Sequence, residues 1–203
     1  MPRPRCVRCT RPLSHCLCAL IPSLAAHTKI IILQHPDEQH HALNTARWVA
    51  LGVQQAELRV GEHFPTLAAE LEGVACALLF PGENAQQVSA VTVEQCPAVL
   101  IVPDGTWRKA RRLLHCNPWL STLPRLTLPA GLHSRYRLRK APQPGALSTV
   151  EAIVYCLNAL EKSNTFDALL RPFEALIEGQ THAMGDEVYQ RNHGPFIEKE
   201  EEK

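Results

Sequence analysis

The chain has 203 residues, of which 45% are apolar and 20% charged, and its formal net charge is +1. This length fits one globular domain with a small appendage, and the composition excludes a disordered or coiled-coil protein. No run approaches the roughly 20 apolar residues of a membrane span, and the first residues lack the apolar core of a secretion signal. We therefore expect a soluble, cytoplasmic protein.

The first predicted element is a cysteine cluster with the pattern C-x2-C-x6-C-x-C. Thiolates at such short spacing can surround one Zn²⁺ ion, and the neighbouring arginines would offset their negative charge. Disulfides are disfavoured in a chain expected to stay in a reducing compartment, and an iron–sulfur cluster is a further alternative. We predict a closed, structural zinc site within residues 1–28, with the ligands Cys6, Cys9, Cys16 and Cys18.

Predicted strands and helices alternate after this cluster. Apolar or β-branched runs predict strands at Lys29–Gln34, Ala56–Val60, Ala75–Phe80, Ala98–Val102, Arg125–Leu128 and Tyr136–Leu138. Helical spacing predicts helices at His40–Leu51, Trp107–Cys116, Ser148–Glu161 and from Phe166 to about Ile177. This order predicts an α/β domain over residues 29–190 with a mostly parallel sheet, followed by a disordered acidic tail over residues 191–203.

The small net charge conceals four blocks of opposite sign. Residues 1–29 carry +5 and residues 101–150 carry +8, whereas residues 30–100 and 151–203 each carry −6. Attraction to phosphate depends on where charge is concentrated. The basic blocks favour a face that binds a polyanion, and an incidentally clustered, solvated surface is the alternative.

Ligands of parallel sheets bind beyond the carboxyl ends of the strands. Three loops therefore become candidates for a site: Gln34–Glu38, Phe80–Asn84 and Pro103–Trp107. Neither G-x-G-x-x-G nor a Walker motif occurs, so a standard dinucleotide or P-loop site is unsupported.

The segment from Asp104 to Trp107 follows a buried strand and begins a basic helix. A carboxylate at this place, next to a glycine, is suited to acid–base work, and Trp107 offers a surface on which a base can stack. The structural alternative is that Asp104 caps the helix and Trp107 anchors it to the core. The phosphate-facing residues of the basic block would be Arg108, Lys109, Arg111 and Arg112, with Arg135 and Arg137 further along.

Two further segments have both a structural and a functional interpretation. Ser148 with Glu151 fits a capping box, and the same helix N-terminus could bind a carboxylate of an amino-acid-like ligand. The loop His35–Glu38 combines titratable groups at a strand end, but a surface turn is favoured over a role in the site.

Together these motifs resemble the DTW-domain family, whose bacterial members are tRNA-uridine aminocarboxypropyltransferases. The naming motif Asp-x-Thr-Trp is present at residues 104–107, with Ala110 following it. The cysteine cluster is similar to that of the family. The other similar segments are His35-Pro36 with Glu38, Asn44-Thr45, Phe80-Pro81-Gly82, and Ser148-Thr149 with Glu151-Ala152.

The resemblance implies a SPOUT-like fold with a C-terminal trefoil knot that holds S-adenosylmethionine. It also implies transfer of the 3-amino-3-carboxypropyl group to N3 of a variable-loop uridine in tRNA, with release of 5′-methylthioadenosine. A monomer and a homodimer are both compatible with the sequence. The alternatives are a SPOUT-type RNA methyltransferase and a non-catalytic zinc-ribbon protein that binds RNA.

Site residues are expected on that basis. We expect Asp104 to take the uridine proton, with Thr106 and Trp107 shaping the pocket. The expected cofactor-binding residues are Phe80, Pro81, Gly82, Val102, Pro103, Ser148, Thr149 and Glu151.

Overall fold

The computed structural model describes residues 4–41, 44–134 and 147–184. Its six strands form one parallel sheet in the order β2-β1-β5-β3-β6-β4. The strands are Lys29–Gln34 (β1), Ala56–Val60 (β2), Cys76–Leu79 (β3), Gln86–Gln87 (β4), Val99–Asp104 (β5) and Arg125–Thr127 (β6). The α-helices are Ala46–Gly52 (α1), Leu67–Glu70 (α2), Trp107–Cys116 (α3), Thr149–Glu161 (α4) and Arg171–Met184 (α5). The prediction of an α/β fold with a parallel sheet is confirmed.

Helices cover both faces of the sheet, because the central strands are apolar on both sides. In β1, Ile30 and Ile32 pack into one core with residues of α1, α4 and α5. Ile31 and Leu33 point the other way and pack with residues of α2 and α3. All four side chains are fully buried, as expected for a central parallel strand.

Several predicted bounds differ from the observed ones. Strand β5 continues through Pro103 to Asp104, two residues beyond the predicted end. The helix predicted from His40 begins only at Ala46. A 3-10 helix lies at Pro36–Glu38, and residues 42 and 43 are outside the described part of the chain. The predicted region from Phe166 is a 3-10 helix followed by α5. Strand β4 and helix α2 are additions to the predicted elements.

Other predictions fall outside the described residues. These are the strand Tyr136–Leu138, the tail after residue 190 and the side chains of Arg135 and Arg137. Within the described ranges, no helix is both long enough and apolar enough to span a membrane.

Candidate active site

A cavity of about 640 Å³ opens at the carboxyl edge of the sheet. The ends of β3, β5 and β6 and the first turn of α4 form its walls. Its volume falls in the range of about 300–1,000 Å³ that is typical of small-molecule sites. The five predicted cofactor-binding residues that line it are Phe80, Pro81, Val102, Pro103 and Thr149.

Asp104 is the last residue of β5 and is paired in register with Gln34 of β1. Its Oδ2 atom accepts a 2.7 Å hydrogen bond from Gln34 Nε2, and its Oδ1 atom accepts one from the Thr149 hydroxyl. The residue is 8% exposed, and Thr149 connects it to the cavity wall. A carboxylate is therefore fixed in orientation next to the cavity by groups from two different elements.

The turn after Asp104 requires a glycine. Gly105 has a φ of +150°, and a Cβ atom there would lie 3.0 Å from the Cβ of Lys109. Thr106 then caps α3, because its hydroxyl accepts a hydrogen bond from the backbone N–H of Lys109. The alternative in which Asp104 caps this helix is wrong, since Thr106 occupies that position and Asp104 is still part of the strand.

Trp107 forms one side of the cavity. Its ring meets the ring of Phe80 edge to face, with centroids 5.7 Å apart and planes inclined at 60°. Both residues line the cavity. Since Trp107 is only partly buried, its ring both packs against a neighbour and presents surface to the cavity.

The start of α4 contains the predicted capping box. Ser148 accepts a hydrogen bond from the backbone of Glu151, and the Glu151 carboxylate accepts 2.8 Å and 2.6 Å bonds from the Ser148 N–H and hydroxyl. Ser134 donates a further 2.8 Å bond to the same carboxylate. Among the described residues, Thr149 and Ala152 line the cavity, whereas Ser148, Glu151 and Gly82 do not. The structural interpretation of this motif is confirmed.

The loop His35–Glu38 is a turn with Pro36 and Asp37 exposed, as expected, but its first and last residues are buried. His35 is 6% exposed and Glu38 is 8% exposed, and both are held by partners distant in sequence. His35 Nε2 lies 2.8 Å from Glu62 Oε1, and Lys109 Nζ donates a 2.9 Å bond to Glu38 Oε1. The backbone N–H of His35 donates a hydrogen bond to the Asp104 carbonyl, so this loop stabilises the turn that follows Asp104.

Two of the four basic residues predicted on α3 form ion pairs. The Glu38 carboxylate raises the pKa of Lys109, and Arg112 holds the pKa of Glu62 below its usual value through two 2.9 Å bonds. Arg108 and Arg111 are exposed on the same helix.

Sequence reasoning missed one wall of the cavity. The segment from Leu126 to His133, at and beyond the end of β6, lines it. The rule that ligands bind at the carboxyl ends of parallel strands could have identified this segment, because Arg125–Leu128 was predicted as a strand.

The four N-terminal cysteines lie together. Their Sγ atoms are all within 4.8 Å of one another, with Cys6 to Cys18 at 3.6 Å and Cys9 to Cys16 at 3.8 Å. All four are free thiols, and a disulfide would need a separation of about 2 Å. Backbone hydrogen bonds from Cys9 and Arg8 lower the pKa of Cys6 to about 6. This arrangement could hold a metal ion.

The fold and site define a parallel α/β domain with a small-molecule cavity at its carboxyl edge and a four-cysteine element before it. The DTW domain sequence model matches residues 3–181, and the chain belongs to the DTW domain family. The chain is 31% identical over 190 residues to "tRNA-uridine aminocarboxypropyltransferase 2" of Macaca fascicularis. The aligned region covers 88% of this chain and 64% of the relative.

Two other relatives carry similar names. A Drosophila melanogaster protein, also "tRNA-uridine aminocarboxypropyltransferase 2", is 32% identical over 88% of this chain and 75% of its own length. "tRNA-uridine aminocarboxypropyltransferase A" of Arabidopsis thaliana is 29% identical over 77% of this chain and 72% of its own length. The chain thus spans a little under two thirds of the macaque relative and about three quarters of the fly relative.

Proposed function

We propose that this protein transfers the 3-amino-3-carboxypropyl group of S-adenosylmethionine to N3 of a tRNA uridine in the variable loop. The observation that carries the proposal is the buried Asp104 carboxylate, which Gln34 and Thr149 orient next to a 640 Å³ cavity. Asp104 is not itself among the lining residues, but its neighbours Pro103 and Gly105 and its partner Thr149 line the cavity. The names of the relatives, which match most of this chain, support the same reaction.

The cavity suits S-adenosylmethionine in size and chemistry. Its walls are mainly apolar and include the partly exposed Trp107 ring, which can pack against an adenine. Phe80, Pro81, Val102 and Pro103 would hold the nucleoside part. When bound, the sulfonium activates three adjacent carbons, and the transferred group depends on which carbon faces the nucleophile.

Asp104 would act on the uridine. Its carboxylate takes the N3 proton while the N3 electron pair forms a bond to the γ-carbon of the methionine arm. The bond between this carbon and sulfur breaks, its electron pair stays on sulfur, and 5′-methylthioadenosine leaves as a neutral thioether. Gln34 and Thr149 keep the carboxylate oriented, and Thr106 and Trp107 shape the entrance for the base.

The four-cysteine element fits structural zinc. A tetrahedral ion with Zn–S bonds of about 2.3 Å separates its sulfurs by about 3.8 Å, close to the Sγ distances of 3.6 and 3.8 Å. Cys6, Cys9, Cys16 and Cys18 would fill all four positions. Such a closed site contributes folding energy rather than chemistry, and it would fix the shape of the surrounding arginine-rich loop.

Exposed cations near the site would contact the tRNA backbone. Arg108 and Arg111 project from α3, which begins at the cavity. Lys109 and Arg112 would contribute less, because Glu38 and Glu62 already neutralise them. Arg135 and Arg137 belong to the same proposal, although they lie outside the described residues.

The same proposal includes a SPOUT-like fold with a trefoil knot. A parallel sheet with a ligand-sized cavity between β5, β6 and the start of α4 supports it. The knot would involve the chain between β6 and α4, and residues 135–146 of that connection lie outside the described part.

The test is an incubation of the protein with S-adenosylmethionine and an unmodified tRNA transcript, followed by mass spectrometry of the nucleosides and of the small-molecule products. We expect a uridine heavier by one aminocarboxypropyl group and an equal amount of methylthioadenosine. A uridine heavier by one methyl group, with S-adenosylhomocysteine as the by-product, would contradict the proposal. Binding of tRNA without any product would contradict it as well.

A further inference from the structure

A second cavity, of about 260 Å³, lies between the four-cysteine element and residues 39–41, Asn44 and Arg47. We propose that it binds a phosphate group of the RNA backbone. Its described lining contains three arginines and three histidines and no carboxylate side chain. These six residues are Arg5, Arg11, His15, His40, His41 and Arg47.

The three guanidinium groups come from two separate parts of the chain. Arg5 and Arg11 belong to the four-cysteine element, where Arg5 donates a 2.9 Å bond to the Thr10 carbonyl. Arg11 lies over the ring of the buried Trp48, with its Cζ atom 5.9 Å from the ring centroid, and so joins the element to α1. Arg47 is the neighbour of Trp48 in α1. Guanidinium groups that line one cavity together favour an anion there.

Arg47 also provides a donor that needs an acceptor. Its Nε atom is buried and has no hydrogen-bond partner in the described part of the chain. A buried N–H without an acceptor costs about 1–3 kcal/mol, and native proteins rarely leave one unpaired. Guanidinium groups match phosphate oxygens in geometry as well as charge, and a shift of the Arg47 side chain toward the cavity that it lines would bring its donors to a phosphate there.

The position of the cavity favours RNA as the source of the phosphate. Residues 39–41, which line it, directly follow the 3-10 turn Pro36–Glu38. That turn lies next to the candidate active site. If Gly105 carried a Cβ atom, this atom would lie only 3.7 Å from the Cγ atom of Glu38, the last residue of the turn. A polyanion whose base enters the active-site cavity could therefore place another phosphate here. This inference rests on the proposed function for the identity of the polymer.

A competing explanation is that these arginines only offset the charge of metal-bound thiolates. Arg5, Arg11 and Cys9 all line the cavity, so the experiment must record the metal content of each variant. Arg47 is not part of the four-cysteine element and makes the sharper test.

The experiment measures binding of an unmodified tRNA transcript over a series of KCl concentrations. The variants are Arg47→Gln, Arg5→Gln and the double variant, with Arg171→Gln as the matched control, because Arg171 is exposed on α5, away from the cavity lining. We expect each single variant to bind roughly tenfold more weakly and to reduce the slope of log K against log[KCl] by about 1. The double variant should lose little more, because both residues serve one phosphate.

Three results would overturn the inference. Arg47→Gln could bind like the Arg171→Gln control with an unchanged salt slope. Binding could fall only in variants that also lose metal or unfold, which metal analysis and thermal unfolding would reveal. Inorganic phosphate, titrated separately, could bind tightly through Arg47 while tRNA binding is unchanged in Arg47→Gln, which would indicate a free anion rather than RNA.

The binding assay does not depend on catalysis. If the wild-type protein bound tRNA through Arg47 but made no modified uridine, the proposed reaction would fail and the phosphate site would remain. Affinity for S-adenosylmethionine should be the same in Arg47→Gln and wild type, because the two cavities share no described lining residue.

Discussion

The substitution Asp104→Asn should separate the chemistry of this carboxylate from its structural role. Asparagine has the same shape, and its oxygen can still accept the bond from Thr149. Its amide nitrogen would face Gln34 Nε2, but rotation of the Gln34 amide by half a turn presents Oε1 instead. That oxygen is buried and has no other partner among the described residues. The network can therefore be rebuilt around a neutral side chain.

The expected cost to stability is small. A hydrogen bond to a charged group contributes about 1.5–3 kcal/mol and a neutral one about 0.5–1.5 kcal/mol. Two weakened bonds thus cost at most about 2–3 kcal/mol, and relief from burying a charge offsets part of this. We expect Tm to fall by less than about 8 °C. Asp104→Ala should cost more, because it leaves the donors of Gln34 and Thr149 without an acceptor.

The expected cost to transfer is large. Loss of a positioned base lowers a rate by about 10²–10⁴-fold, and single-turnover formation of modified uridine measures this directly. Wild-type affinity for S-adenosylmethionine in Asp104→Asn would show that the cavity is intact. If Asp104→Asn kept more than about a tenth of the wild-type rate, the assignment of Asp104 as the base would be refuted. The same applies if it lost activity only by unfolding.

Three other predictions concern the turn after Asp104, the ion pair of Glu38 with Lys109, and the four-cysteine element. Gly105→Ala should lower the free energy of unfolding by about 1–3 kcal/mol and slow transfer, because φ is +150° there and the Lys109 side chain is close. The control Gly179→Ala, at an open position on a helix, should raise the stability slightly. Calorimetry measures both changes. Glu38→Gln should lower the free energy of unfolding by denaturant by about 1–2 kcal/mol, because the ion pair of Glu38 with Lys109 is largely buried. Asp37→Asn should lower it much less, because Asp37, the other partner of Lys109, is 68% exposed. Equal effects of the two substitutions would contradict this prediction. Metal analysis should find one zinc ion per chain in the wild type and none in Cys16→Ser. Removal of the ion by a chelator should make residues 1–28 sensitive to proteolysis. Metal retained in Cys16→Ser, or proteolysis unchanged by the chelator, would contradict the zinc assignment.

Local patterns predicted much of this fold. Continuous apolar runs predicted β1 and β5 because strands covered on both faces have no polar side. The capping box at Ser148 predicted the start of α4, since both partners are three residues apart. The close approach of the four cysteines also followed from short spacing. In each case the determining contacts lie within one segment.

Contacts between distant segments were harder to predict. The burial of His35 and Glu38 depends on Glu62 and Lys109, which are far away in the sequence. The same holds for the pair that orients Asp104, because Gln34 and Thr149 come from β1 and α4. Sequence reasoning predicted Asp104 as the candidate base from its place after a strand, but only the register of β1 with β5 reveals Gln34 as its partner.

The most direct test of the central claim is a crystal structure of the protein with S-adenosylmethionine bound. The account predicts the ligand in the 640 Å³ cavity, with the γ-carbon of its methionine arm facing the Asp104 carboxylate across the space for a uracil. A methionine arm buried away from Asp104, with the methyl group facing it instead, would contradict the account.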